Sequence, residues 1–263
     1  MPRLDDRLDP DLIQANLSTR QVGKKVLVYD RTASTNDIAG EYAKNPDNNG
    51  LVVFAEEQTA GRGRTGAKWH SRHGDSLLFS IALAARDISG ELLPLTCAVA
   101  VAEAIGQVGP SHAQIKWPND ILLVGRKVAG ILVESRQSTA GRVHVIGIGI
   151  NCHQMPEDFP PELQETATSL DLATGTRCDR VTVARRVLTS LDHWLKTAER
   201  DSRQVIETWS RLSTQLGQRV TLSYSRKRFT GNCIGVDPEK GLILQLDRGG
   251  VRMFDAAHTH MVQ

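Results

Sequence analysis

"ILLVGRKVAGILVESRQSTAGRVHVIGIGINC", residues 121–152, is the stretch that decides the fold. It holds three apolar segments, and only Gly125-Arg126 and the glycine-led Gly141-Arg142 interrupt them as turn signals. Parallel neighbours need a crossover of a dozen or more residues, whereas a tight turn joins antiparallel ones. The stretch therefore predicts consecutive hairpins and a mixed or antiparallel sheet rather than a doubly wound parallel one. Gly130, Gly147 and Gly149 lie inside these apolar strands. A glycine there marks close approach by another backbone or by a ligand.

Outward from this stretch the chain alternates strand-like and helix-like segments. "KKVLVYD" (24–30), "LVVFAEEQ" (51–58) and "SLLFSIALA" (76–84) read as strands, and "AQIKWPND" (113–120) carries a strand into a proline turn. "STNDIAGEYAKN" (34–45) reads as a helix with Ser34 or Thr35 as N-cap, because a hydroxyl can accept a backbone N–H left unpaired in the first turn. "ELLPLTCAVAVAEAIGQVG" (91–109) reads as a mostly buried helix ending at a glycine. Two more helical patterns follow, "TVARRVLTSLDHWLKTAER" (182–200) and "SRQVIETWSRLS", the latter starting near Ser202. Beyond them "RVTLSYS", "RFTGNCIGVD", "LILQLD" and "VRMFDAA" are short strands separated by "PEKG" and "RGG" turns, the pattern of a small C-terminal β-barrel. The expectation is an α+β fold organised as an N-terminal extension (1–23), a catalytic unit (24–214) and a barrel (215–263). Only about twenty residues precede the first strand, too few for a helix-turn-helix unit.

Composition narrows the function classes. The chain has 263 residues, 40% of them hydrophobic, enough for a full core. Its apolar runs fall short of the ~20 residues of a spanning helix, and "MPRLDDRLDP" has no signal-peptide core, so a cytoplasmic protein without a membrane partner is expected. A net charge of +2 argues against a nucleic-acid coat, so any strong anion site has to be local. Cys97, Cys152, Cys178 and Cys233 are far apart, which suggests neither a disulfide framework nor a sulfur-ligated zinc site.

The local anion site is sought in "EEQTAGRGRTGAKWHS" (56–71). Gly61-x-Gly63-x-x-Gly66, with Asp87 about twenty residues on, matches the dinucleotide fingerprint in letters. That fingerprint requires its glycines to open an amphipathic helix, and "AKWHSRHGDS" has no helical period; no Gly-Lys-Ser/Thr closes a phosphate loop either. What remains is an anion cradle. Glycines let N–H groups approach an anion, Arg62 and Arg64 add planar charged forks, and Trp69 can stack on a flat ring. The alternative is a solvated hairpin tip. Lys116, Asn119 and Asp120 in "IKWPND", Lys127 beside its turn, and Asn151 after the glycines of "IGIGINC" are further groups that can converge on a ligand. His70 and His73 lack a helix and a third ligand, and Cys152-His153 is read as packing rather than as a nucleophile.

In this order "STND", "EEQTAGRGRTGAKW", "KWPND", "GRKVAGILVE" and "GIGINC" resemble the biotin protein ligases over most of Lys24 to Cys152. A helical pair and a C-terminal SH3-like barrel also belong to that family. The absence of DNA-binding helices makes the chain similar to monofunctional members, with no nucleic-acid partner. The resemblance implies that ATP and biotin, with Mg²⁺, form biotinyl-5′-AMP, and that a lysine of a biotin carboxyl carrier domain takes the biotinyl group. It implies Lys127, Arg62, Arg64 and Asp120 as catalytic. Ser34, Thr35, Asn36, Gln58, Gly61, Arg62, Gly63, Arg64, Lys127 and Gly130 would meet biotin. Arg62, Arg64, Lys68, Trp69, Lys116, Asn119, Lys127 and Asn151 would meet ATP or the adenylate, with Trp69 on the adenine.

Asp120 is open between a Mg²⁺ ligand, a base for the incoming lysine and a turn cap; Glu134 is either a metal ligand or, the preferred reading, a solvated strand carboxylate. With no apolar anchor before Trp69, residues 61–68 are expected to be mobile until they order over the adenylate. Thr65 and Ala67 replace basic residues of many relatives, and "FDAAHTHMVQ" lacks their closing Gly-Glu. Both departures bear on the grip on the adenylate and on the barrel's part in binding. A lipoate ligase and a non-catalytic biotin sensor are the rival readings, disfavoured by K-W-P-N-D with two loop arginines and by the retained Lys127. The family includes both monomers and homodimers.

Overall fold

The computed structural model describes residues 6–84, 88–109, 111–138 and 141–262. Asp87, the acidic residue of the fingerprint match, lies outside them. The chain runs through α1 (Pro10–Gln14), β1 (Val26–Thr32), α2 (Thr35–Tyr42), β2 (Val52–Gln58), β3 (Ser76–Ala84) and α3 (Leu92–Gly106). Strands β4 (Gln114–Lys116), β5 (Asp120–Leu123), β6 (Arg126–Ser138) and β7 (Gly141–Asn151) follow, then α4 (Leu170–Thr174), α5 (Arg180–Arg200) and α6 (Ser202–Leu212). The C-terminal strands are β8 (Arg219–Tyr224), β9 (Lys227–Asp237), β10 (Gly241–Leu246), β11 (Val251–Phe254) and β12 (Thr259–Met261).

Seven strands form one sheet in the order β1-β2-β3-β7-β6-β5-β4. Only β1 and β2 pair in parallel, so the sheet is mixed and the hairpins expected at β5–β6–β7 are present. Val124 and Gly125 take left-handed φ values of 46° and 75° between β5 and β6, the geometry a two-residue hairpin needs. α3 packs on the sheet and is covered by α5 and α6, which is why a mostly apolar helix suits it. α2 covers the other face, with Ala39 and Ala43 on Val53, Ala82, Val143 and Val145.

The alternation of β7 sorts its residues between these faces. Ile146, Ile148 and Ile150 join the core under α3, whereas Val143 and Val145 face α2, and Gly147 and Gly149 continue their row. The face beyond the end of α2 is therefore paved with glycine instead of valine, which leaves a hollow.

Residues 6–14 are not a loose extension. Leu8 and Ile13 are buried, and the Leu8 N–H donates to Glu56 at 2.8 Å. Glu56 also accepts from Arg180, the first residue of α5, at 2.7 Å, with both side chains 2% exposed. Arg180 reaches Asp6 at 3.3 Å as well.

The C-terminal sheet has the order β11-β10-β9-β8-β12. Phe254 on β11 and Tyr224 on β8 have ring centroids 5.7 Å apart. A flat sheet would separate strands three positions apart by about 14 Å at the usual spacing, so this sheet curls over its own aromatic core. Sequence reading missed α1, α4 and β12, all of five residues or fewer. Among the described residues no helix is long and apolar enough to cross a membrane.

Candidate active site

The hollow opens into a cavity enclosing about 800 Å³ of empty space, part of it open to solvent. Its floor is the cross-strand pair Gly130–Gly149 of β6 and β7. A methyl group at Gly149 would meet the Trp69 indole at 2.6 Å, and one at Gly130 would meet it at 2.9 Å. Gly147 does the same for Asn36, whose oxygen lies 2.2 Å from where its Cβ would be. These glycines do mark close approach, but of side chains from the same chain.

One end of the cavity is a neutral hydrogen-bonding cluster. The Gln58 carbonyl accepts from the Thr35 N–H at 2.7 Å and from the Thr35 hydroxyl at 3.0 Å. The Thr35 hydroxyl also meets Ser80 Oγ at 2.7 Å, and Ser80 donates to the Asn36 carbonyl at 2.5 Å. Ser34 takes the N-cap position of α2 without a side-chain cap hydrogen bond, which corrects the capping role expected of these hydroxyls. Ser34 lines the cavity instead. Among the described residues Asn36 Nδ2 and Trp69 Nε1 are buried without a partner, two donors whose burial is costly until something accepts from them. Ser80 was not anticipated, although a buried serine in the apolar run "LLFSIALA" was a usable signal.

The other end is cationic. Lys127 Nζ lies 2.5 Å from Asp120 and 5.8 Å from the Trp69 ring centroid. Arg62 forms a two-pronged pair with Asp37, at 2.7 and 2.9 Å, and lies 3.8 Å from Glu134. Arg136 completes this group, 2.9 Å from Glu134 and 3.4 Å from Asp37. The hydrogen bonds that Arg62 donates hold the Asp37 carboxyl below its ordinary value and raise Arg62 in turn. Glu134 is thus ion-paired rather than merely solvated. Arg64 has no carboxylate partner among the described residues. It donates to the carbonyls of Ala256 and, at 3.3 Å, Thr259, and reaches Asn119 Oδ1 at 3.5 Å. Burial lowers its pKa, yet an arginine so placed stays charged.

The loop from Gly61 to Trp69 spans these parts. Thr65 and Gly66 both take left-handed φ values, 54° and 82°. The loop has no apolar anchor, as expected, but Arg62 on α2's Asp37 and Arg64 on the C-terminal sheet anchor it by polar contacts.

Ser34, Thr35, Asn36, Gln58, Arg62, Gly63, Arg64, Lys68, Trp69, Asn119, Asp120, Lys127 and Gly130 all line the cavity. Three expected residues are absent from its wall. Asn151 is buried beyond it, donating to the Thr168 carbonyl at 2.9 Å, so its amide secures the segment that bridges to Lys127. Lys116 belongs to the edge strand β4, opposite Asp120 in the hairpin. Gly61 makes room for the Trp69 backbone, whose carbonyl would be 3.0 Å from a Cβ there.

Fold and cavity together define a class: an α+β protein whose mixed sheet carries a glycine-floored cavity, polar at one end, cationic at the other, covered by a glycine-arginine loop. The model of the biotin/lipoate A/B protein ligase family matches residues 28–151. The bifunctional ligase/repressor BirA of Bacillus subtilis is 35% identical, with 95% of this chain and 78% of that protein aligned. The biotin–[acetyl-CoA-carboxylase] ligase of Mycobacterium tuberculosis is 33% identical, with 82% of each covered. Among solved structures, the Aquifex aeolicus biotin protein ligase in complex with biotin and ATP superposes with a TM-score of 0.79 at 28% identity, over 91% of this chain and 99% of that one. This chain belongs to the biotin/lipoate A/B protein ligase family.

Proposed function

We propose that the chain joins biotin to ATP, forming biotinyl-5′-AMP and pyrophosphate, and then passes the biotinyl group to a lysine of a carboxylase carrier domain. The observation that carries this reading is the two-ended cavity. The cluster from Ser34 to Gln58, with the unpartnered Asn36 Nδ2, suits the polar ring of biotin. Lys127, Arg62 and Arg64 suit a carboxylate meeting a triphosphate.

In the first step a biotin carboxylate oxygen attacks the α-phosphorus and the bond to pyrophosphate breaks. Two anions must approach to bonding distance, and fixed positive charge offsets their repulsion. Lys127, in the cationic end, is the point charge for the carboxylate and the α-phosphate oxygens. In the second step the acceptor amine attacks the acyl carbon, an amide forms, AMP leaves and the amine proton goes to solvent. Asp120 is the single carboxylate among the described residues lining the cavity, and it positions Lys127. It also fits Mg²⁺, a hard cation that needs one carboxylate when the triphosphate supplies its other oxygens; bound there, Mg²⁺ would screen the phosphates' charge. Trp69, already backed by the glycine floor, offers its other face to the adenine. Residues 24–214 are read as the ligase unit, and 215–263 as a barrel that holds Arg64.

Intact-mass analysis of a carrier domain incubated with the chain, biotin, ATP and Mg²⁺ tests this. One biotinyl group on one lysine is expected. Modification by lipoate in place of biotin would move the chain to the lipoate side of its family.

A further inference from the structure

The four cysteines carry no sequence pattern, yet two of them meet in space on the side of the sheet remote from the cavity. Cys152 and His153 directly follow strand β7, and Asp171 on α4 and Cys178 in the turn before α5 pack against them. His153, Asp171 and Cys178 offer one nitrogen, one oxygen and one sulfur donor, all within 4.8 Å of one another. The Cys178 thiol also lies 4.0 Å from the Cys152 carbonyl oxygen. All four cysteines are free and buried.

The surroundings favour one use of this group over another. A nucleophilic thiol has to face substrate, and neither Cys152 nor Cys178 lines the open cleft beside His153. A bound cation needs only an entry path, which that cleft supplies next to the imidazole. The imidazole is also oriented as a ligand would be. Its Nε2 is held 2.7 Å from Asp6, which Arg180 supports from 3.3 Å, while Nδ1 points at Asp171, 2.8 Å away. A carboxylate on the far nitrogen of a histidine fixes the ring and raises its basicity toward a metal. Asp171 is itself fixed, since its other oxygen accepts the Cys178 N–H at 2.7 Å.

We propose that His153 Nδ1, an Asp171 oxygen and the Cys178 sulfur bind one divalent cation of the zinc class, with water as fourth ligand, stapling the segment after β7 to α4 and the turn that follows it. A nitrogen, oxygen and sulfur set suits a borderline-soft, four-coordinate ion and not Mg²⁺ or Ca²⁺. On binding, the Cys178 thiol proton and the Nδ1 proton that now bridges to Asp171 pass to solvent, and three metal–ligand bonds from the chain and one from water form without change of oxidation state. The site has no part in the ligase reaction, and its fate does not depend on that reading.

The test uses the full chain, stripped with a chelator under reducing conditions and titrated with Co²⁺. The expected result is a thiolate-to-cobalt charge-transfer band with the visible bands of tetrahedral cobalt, saturating at one equivalent and abolished by Zn²⁺. Cys178→Ser removes the charge-transfer intensity or reduces it severalfold, and His153→Gln weakens binding at least tenfold. Spectra of the wild type that match aqueous Co²⁺ at saturating metal overturn the proposal, as does a band unchanged in Cys178→Ser. So does a thiol count, on protein purified without reductant, that shows Cys152 and Cys178 joined as a disulfide which Zn²⁺ does not prevent.

Discussion

Two arginine–carboxylate pairs sit on opposite faces of the same sheet and are built for opposite purposes. Arg180 and Glu56 are each 2% exposed and 2.7 Å apart, with Arg180 further bound to the Ser76 carbonyl and to Asp6. Arg62 and Asp37 are as close, at 2.7 Å, but their side chains are 38% and 48% exposed. A buried pair is worth little against an apolar replacement but is very costly to break on one side; an exposed pair is cheap either way. The first pair therefore fixes the N-terminal segment, β2 and α5 as one body. The second, like Lys127 with Asp120, holds a cation beside the cavity on a carboxylate, which in the proposed reaction it would leave for an anionic substrate.

If that contrast holds, Arg180→Ala has the largest effect on stability. It strands the Glu56 carboxylate and should cost about 3–5 kcal/mol, read as a fall in the urea midpoint. Loss of less than about 1 kcal/mol would mean that the pair is not a permanent fixture. Lys127→Ala should show the reverse profile. Biotin-dependent pyrophosphate release should fall about 10²–10³-fold while the urea midpoint stays within ~0.5 kcal/mol of wild type. Gly149→Ala sharpens the comparison from the cavity floor. Its methyl group would have to push the Trp69 ring away, so weaker ATP binding and a stability loss of about 1–3 kcal/mol are expected, both measurable by calorimetry.

The smallest effect belongs to Asp37. Arg62 lowers its folded pKa, so the stability it contributes is present above the unfolded carboxylate pKa and is lost as pH falls through the depressed folded value. At this exposure the contribution is below about 1 kcal/mol. Asp37→Asn should therefore be slightly less stable than wild type above about pH 4, and the difference should close as the pH falls further.

Much of the cavity was legible because its residues cluster in local motifs. The Gly61–Trp69 loop, "STND", Gln58 and Lys127 each announce themselves by turn-prone or charged residues in apolar surroundings. The hairpins were legible for a similar reason, since β5, β6 and β7 follow one another with glycine turns. What the chain order hides is pairing across strands and elements. Ser80 reaches Thr35 and Asn36 only because β3 lies under the start of α2, and Asp37 becomes Arg62's partner only when the loop folds back. Asn151 failed the other way. It ends the glycine-bearing strand and so looked like a ligand group, but β7 has run past the cavity by then and its amide is used on Thr168. The group at His153 was hidden for the same reason, its partners Asp171 and Cys178 standing well along the chain from it.

The most direct test of the account is pyrophosphate release from ATP and Mg²⁺ by the purified chain, followed with biotin, with lipoate and with neither, for wild type and Lys127→Ala together. The account predicts release that requires biotin, is not supported by lipoate, and is lost in Lys127→Ala although that variant melts with the wild type. Release that proceeds equally without biotin, or survives intact in Lys127→Ala, would contradict it.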